Sequence, residues 1–157
     1  MSVTGTTING NISTGNGADD GGAGIFNNGG TLMLDTVMVT NNNATGTSGS
    51  GGGILSTTGA VTITASTLDS NSANRAGGAI ELVNGTLIIT NSNLTNNDVD
   101  GSAGTPNPGN GGALHISGLS TTIITGGTVS NNGASREGGG LWNQTGSTMT
   151  VTNLTLN

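Results

Sequence analysis

The stretch Gly77-Gly78-Ala79-Ile80-Glu81-Leu82-Val83-Asn84-Gly85-Thr86-Leu87-Ile88-Ile89-Thr90-Asn91-Ser92-Asn93-Leu94-Thr95-Asn96-Asn97 holds one period of the chain. It opens on a glycine-rich step, runs through β-branched and aliphatic residues, and closes on an asparagine. The step recurs as Gly22-Ala23-Gly24-Ile25, Gly51-Gly52-Gly53-Ile54, Gly111-Gly112-Ala113-Leu114 and Gly138-Gly139-Gly140-Leu141. Downstream, the apolar pairs Leu34/Val39, Ile63/Leu68, Ile89/Leu94, Ile124/Val129 and Val151/Leu156 always stand five apart, and Val3/Ile8 form an earlier pair. Three residues after the second member of a pair comes Asn11, Asn42, Asn71, Asn97 or Asn132. Such self-similarity marks a stack of supersecondary units.

Each period carries three short strand signals: the glycine step, the alternating run such as Val61-Thr62-Ile63-Thr64, and the segment leading to asparagine. The segments are too short and too rich in Gly, Thr and Val for helices. Coils stacked at about 4.8 Å pair every strand with its copies above and below, and parallel crossovers are overwhelmingly right-handed. The expected fold is therefore an all-β, right-handed parallel β-helix with three strands per coil and five to six coils, forming one domain over residues 1–157. Inside it, one apolar ladder should run Val3, Leu34, Ile63, Ile89, Ile124, Val151, and a second Ile8, Val39, Leu68, Leu94, Val129, Leu156. Glycines and asparagines should make the corners, with the asparagines passing amide hydrogen bonds from coil to coil.

Composition agrees and narrows the function classes. The chain has 31 Gly in 157 residues, 31% hydrophobic residues and 1% aromatics, which suits a thin repetitive core. Only Arg75 and Arg136 are positive against eight acids, so a row of phosphates would go unneutralised and nucleic-acid binding is not expected. The absence of Cys excludes disulfides, thiolate metal sites and cysteine nucleophiles. No run reaches the roughly 20 apolar residues of a membrane span. Met1-Ser2-Val3-Thr4 opens directly into strand-like sequence, reading as a mature or truncated chain.

The literal Gly77-Gly78-Ala79-Ile80 and the series Ile8-x-x-Asn11, Val39-x-x-Asn42, Leu68-x-x-Asn71, Leu94-x-x-Asn97 and Val129-x-x-Asn132 resemble the Gly-Gly-Ala-Ile and Phe-x-x-Asn repeats of chlamydial polymorphic outer-membrane proteins. An aliphatic residue stands here where that family favours Phe. The resemblance covers nearly the whole chain. It implies a secreted or bacterial cell-surface passenger, often adhesive, whose partners are an extracellular protein or a glycan.

Three surfaces are candidates for function. The residues just after the glycine step, Phe26, Leu55, Glu81, His115 and Trp142, should form one outward column that contains every aromatic residue; its apolar members suit contact with a glycan or partner, or cover by a neighbouring domain. Glu81 and His115 would be adjacent rungs, close enough for an ion pair or acid/base work. The second surface is an outward grid of Thr62, Thr64, Thr86, Thr90, Thr121, Thr125, Thr148, Thr150 and Thr152, interrupted by Met33, Asp35, Ile88 and Ile123. Its spacing resembles the threonine ladders of ice-binding solenoids, although threonine also simply favours exposed strands. The third is an acidic corner of Asp19, Asp20, Asp98 and Asp100, where calcium is the one conceivable cofactor; Asp98-Val99-Asp100-Gly101 lacks the downstream glutamate of a calcium loop.

Length variation concentrates between the asparagine and the next glycine step, longest from Asn97 to Gly111, so binding loops are expected at that corner. Neither end of the sequence shows a capping helix, which leaves open a longer parent chain or end-to-end stacking of copies. The leading expectation is a non-enzymatic extracellular scaffold for adhesion, display or self-assembly. Ice binding is second, and a polysaccharide lyase or glycosidase third.

Overall fold

Alternation in Ala60–Thr64 buries Val61 and Ile63 and turns Ala60, Thr62 and Thr64 outward, the period of two that a strand imposes on its side chains. The same alternation shapes Thr31–Asp35 and the first half of Thr86–Thr95. Stacking these strands gives a parallel β-solenoid of about five turns with three sheets. The structure is a computed structural model that describes residues 1–17, 20–101 and 109–157, and no helix occurs among them.

Both expected apolar ladders are present in register. Val3 pairs Leu34, Leu34 pairs Ile63, and Ile89 stands between Ile63 and Ile124, which pairs Val151. The second ladder runs Ile8, Val39, Leu68, Leu94, Val129, Leu156 without a slip. A third, Ile25, Ile54, Ile80, Leu114, Leu141, closes the core from the glycine-step sheet. Each fully buried Leu or Ile contributes about 1.5–3 kcal/mol.

The partition of strands among sheets differs in one respect from the expectation. The segment leading to asparagine does not form its own face but continues the middle strand's sheet, which has ten strands. Thr86–Thr95 and Thr121–Ser130 run through both segments unbroken. The third face is built by the two residues after the asparagine, as in Asn43–Ala44, Ser72–Ala73 and Asp98–Val99. Left-handed residues at Asn91 and Gly126 bend the long strands without interrupting them. The left-handed residues just ahead of the ladder asparagines, Asn41, Ser70, Asn96 and Asn131, turn the chain onto the new face.

The asparagine column is a continuous hydrogen-bonded ladder. Asn71 Oδ1 accepts from the backbone N and Nδ2 of Asn42, at 3.1 and 3.0 Å. Asn71 Nδ2 donates to Asn97 Oδ1 and to Val39 O. Asn11, Asn42, Asn97 and Asn132 extend the pattern. These amides replace the backbone pairing that a corner would otherwise lose.

The glycine step is a packing requirement. Gly77 has φ +62°, and a Cβ there would meet the Ile80 carbonyl oxygen; a Cβ on Gly78 would meet the Gly112 carbonyl of the next coil. The tight step delivers the following residue, and the column it begins, onto the sheet that carries the candidate site.

Candidate functional site

The five residues after the step do form one column: Phe26 pairs Leu55, Leu55 pairs Glu81, Glu81 pairs His115, and His115 pairs Trp142. The expectation that the column is an exposed apolar face is not met. Phe26 is 52% exposed, but Leu55 and Glu81 are 0% and His115 4% exposed, while Trp142 is half-buried. The two aromatic residues therefore sit at opposite ends, separated by three covered rungs. They cannot act as one contact surface.

The cover comes from the turn ahead of each glycine step. Gly21, Ser50, Ala76, Asn110 and Glu137 pair in series as an extra ladder beside the column. One residue earlier the backbone also stacks: Arg75 N donates to Gly49 O, Gly109 N to Arg75 O, and Arg136 N to Gly109 O. From this corner Arg75 reaches across the column, donating from Nε to Ser50 Oγ at 2.8 Å and from Nη2 to Glu81 Oε1 at 2.5 Å. His115 Nδ1 lies 3.3 Å from the same oxygen, close enough to favour a carboxylate but without the alignment of a hydrogen bond. The His115 ring stacks on Trp142 with centroids 4.3 Å apart and planes 4° from parallel. Trp142 Nε1 in turn donates to Glu137 Oε2 at 3.1 Å.

Between the corner and the sheet lies a cleft of about 570 Å³ lined by these groups and by Arg136, Asn110, Asn143, Gln144 and Thr145. Both arginines and both glutamates of the chain line it, so their formal charges cancel, and the net charge of −6 equals the number of aspartates in the sequence. Burial alone would push the Glu81 carboxyl up. The adjoining His115, the Arg75 charge and the Ser50 hydroxyl more than offset that, and the group is held below its ordinary value. Glu81 Oε2, His115 Nδ1 and Asn110 Oδ1 are buried without a hydrogen-bond partner among the described residues.

The threonine grid is in register and faces outward. Ala60, Thr86, Thr121 and Thr148 align in one column, Thr62, Ile88, Ile123 and Thr150 in the next, and Thr64, Thr90, Thr125 and Thr152 in the third. Thr86, Thr121, Thr125, Thr148, Thr150 and Thr152 are exposed, and Thr62, Thr64 and Thr90 are half-buried. Met33, Ile88 and Ile123 are 52%, 44% and 43% exposed, so methyl groups interrupt the hydroxyls as the sequence implied.

The acidic corner is only partly brought together. Asp98 and Asp100 lie within contact of each other, and desolvation, reinforced by the hydrogen bond and charge of Asp100, pushes Asp98 up to about 6. Asp20 instead accepts from Gly17 N at 2.7 Å. Asp19 and residues 102–108, most of the long loop, lie outside the described residues. Among the described residues no group of three or more His, Asp or Glu side chains converges as a metal site would require.

Compared with models of known protein families, with curated proteins and with solved structures, the chain matches none.

Sequence reasoning passed over Arg75, Arg136 and Glu137. A signal was present: each arginine stands two residues before the first step glycine, in Arg75-Ala76-Gly77 and Arg136-Glu137-Gly138, while Gly109 holds the same place before Gly111. That shared offset puts all three on one corner.

Proposed function

We propose that this chain is a non-enzymatic extracellular scaffold whose solenoid presents the cleft at Trp142 to a glycan. The observation that carries the reading is the side chain of Trp142 in a polar, charge-balanced cleft on a rigid sheet. An indole offers an apolar face for a sugar ring, and neighbouring amide and hydroxyl groups supply hydrogen bonds to sugar hydroxyls. Asn143, Gln144 and Thr145 provide those groups. Binding is favoured over cleavage because Glu81 is fully covered and engaged by Arg75, and Glu137 is engaged by the Trp142 indole. A secreted or bacterial surface setting, similar to that of the chlamydial polymorphic outer-membrane proteins, accords with the Gly77-Gly78-Ala79-Ile80 step and the aliphatic-x-x-Asn series. The test is binding to a panel of immobilised neutral and acidic glycans, with Trp142→Ala as the control. Retention of at least one glycan, lost in the variant, supports the reading; retention of none sinks it.

A second reading, ice binding, draws on the aligned outward columns through Thr64, Thr90, Thr125 and Thr152. Rows about 4.8 Å apart and alternate residues about 7 Å apart give a flat lattice of hydroxyls and methyls. Thermal hysteresis with ice-crystal shaping, abolished in a Thr90→Tyr, Thr125→Tyr double variant, would move this reading to first place.

A further inference from the structure

Arg75 and Arg136 sit on one corner with Gly109 between them, each joined to it by a backbone hydrogen bond. Gly109 has φ +80°, and a Cβ there would collide with Ser135 Oγ. The rung between the arginines therefore carries no side chain of its own, and Ser135 fills that place; the two arginine rungs stand two strand spacings, or ~9.6 Å, apart along the solenoid axis.

The two arginines are in different chemical states. Arg75 is committed: it donates to Ser50 and Glu81, and its side chain is 16% exposed. Arg136 is exposed and has no acidic partner among the described residues, where the ion pairs are Arg75 with Glu81 and His115 with Glu81. The neighbouring Glu137 carboxylate is engaged by the Trp142 indole. One guanidinium is thus left uncommitted, in a cleft whose other charged groups are engaged. A planar guanidinium binds a carboxylate through two parallel hydrogen bonds, a geometry that Lys cannot reproduce.

We propose that the cleft selects a hexuronic acid residue of a glycan, its carboxylate held by Arg136 and its ring set against Trp142, which line the same cleft. This inference rests on the glycan-binding reading above and specifies its ligand class. One free guanidinium matches one carboxylate. A dense polyanion would meet the field of a chain with net charge −6 and find no second free cation in the cleft. A neutral sugar would leave the Arg136 guanidinium without a carboxylate in contact. The polar side chains of Asn110, Asn143 and Gln144 line the remaining wall for the hydroxyls.

Trp142 is the chain's single tryptophan, so its fluorescence reports on the cleft directly. The experiment titrates the protein with a uronate tetramer holding one glucuronic acid among three glucose residues, a glucose tetramer of the same linkage, and free glucuronate. It is repeated with Arg136→Gln and Arg136→Lys, whose folding is checked by thermal unfolding. The expected result is a roughly tenfold lower Kd for the uronate tetramer than for the glucose tetramer. Arg136→Gln should erase that preference, and Arg136→Lys should restore only part of it. Equal affinity for the two tetramers, or a preference that survives Arg136→Gln, overturns the inference while leaving the glycan reading standing. Free glucuronate binding as tightly as the tetramer overturns it too, since the site would then recognise only a carboxylate. Failure of both tetramers, together with an empty glycan panel, removes both readings.

Discussion

Arg75 donates to Glu81 Oε1 at 2.5 Å from a turn six residues earlier in the chain, and the carboxylate it meets is completely enclosed. The pair ties the corner to the sheet. Removing one member of a buried ion pair strands the other, at about 3–5 kcal/mol. Arg75→Met should therefore lower stability by about that amount in urea unfolding. The double change Arg75→Met, Glu81→Leu should recover most of it, because Leu55 occupies the same column one coil earlier and is equally buried. A double variant no more stable than Arg75→Met would show that the pair has no such role.

The same carboxylate sets an acid limit. Glu81 is held below its ordinary value of 4.5 in the fold, because His115, Arg75 and Ser50 outweigh the opposing effect of burial. A group depressed in this way contributes stability above its unfolded value and loses it as pH falls through the folded one. The unfolding midpoint should drop once pH goes below about 4.5, and the drop should shrink in the Arg75→Met, Glu81→Leu protein. Thermal melts from pH 7 to pH 3 read this out.

Asp98 acts in the opposite sense. Desolvation and the nearby Asp100 raise it to about 6, so the folded state carries a penalty whenever pH lies above that value. The penalty is relieved as pH falls from about 6 toward the ordinary 3.8. Asp98→Asn should raise the melting temperature at pH 7.5 and have little effect at pH 4. The same variant melted at both values decides the point, and an unchanged melting temperature at pH 7.5 would refute it.

Much of the fold was legible because a solenoid stacks like on like. The recurrence that places Ile63 on Ile89 and Asn71 on Asn97 is written along the chain, and neither ladder needs knowledge of anything outside its own column. The merging of two strand segments into one sheet was not legible, because it depends on how far a single left-handed residue such as Asn91 bends the backbone. The covering of Leu55, Glu81 and His115 was also hidden. Alternation tells which residues leave the core but not what a neighbouring turn lays over them. The positions of Arg75, Gly109 and Arg136 two residues before each step held that information as register rather than as a motif.

The asparagine ladder should be the least tolerant corner. Asn71 is fully buried; its side chain accepts two hydrogen bonds from Asn42 and donates to Asn97 and Val39. Asn71→Leu would leave several of those backbone and amide groups buried without partners, each costing about 1–3 kcal/mol. Loss of a cooperative melt at 37 °C, with Asn11→Leu at the partly exposed end much milder, is the expected pattern. Equal effects at the two positions would argue against the ladder as a stabilising element.

Thr122 offers the reverse case, a position where the native residue works against the fold. It points into the core between Leu87 and Met149, is 1% exposed, and its Oγ1 has no hydrogen-bond partner among the described residues. The corresponding interior place holds Leu32, Val61 and Leu87 in earlier coils. A buried hydroxyl without a partner costs about 1–3 kcal/mol, and valine has nearly the same shape without that hydroxyl. Thr122→Val should therefore stabilise the solenoid by about 1 kcal/mol in urea unfolding with the slope unchanged. Because Thr122 faces inward while Thr121 and Ile123 face out, the change leaves the outer grid and the Trp142 cleft intact. A loss of stability in Thr122→Val would mean that the hydroxyl is satisfied in solution, by a water or by a shift of the neighbouring strand.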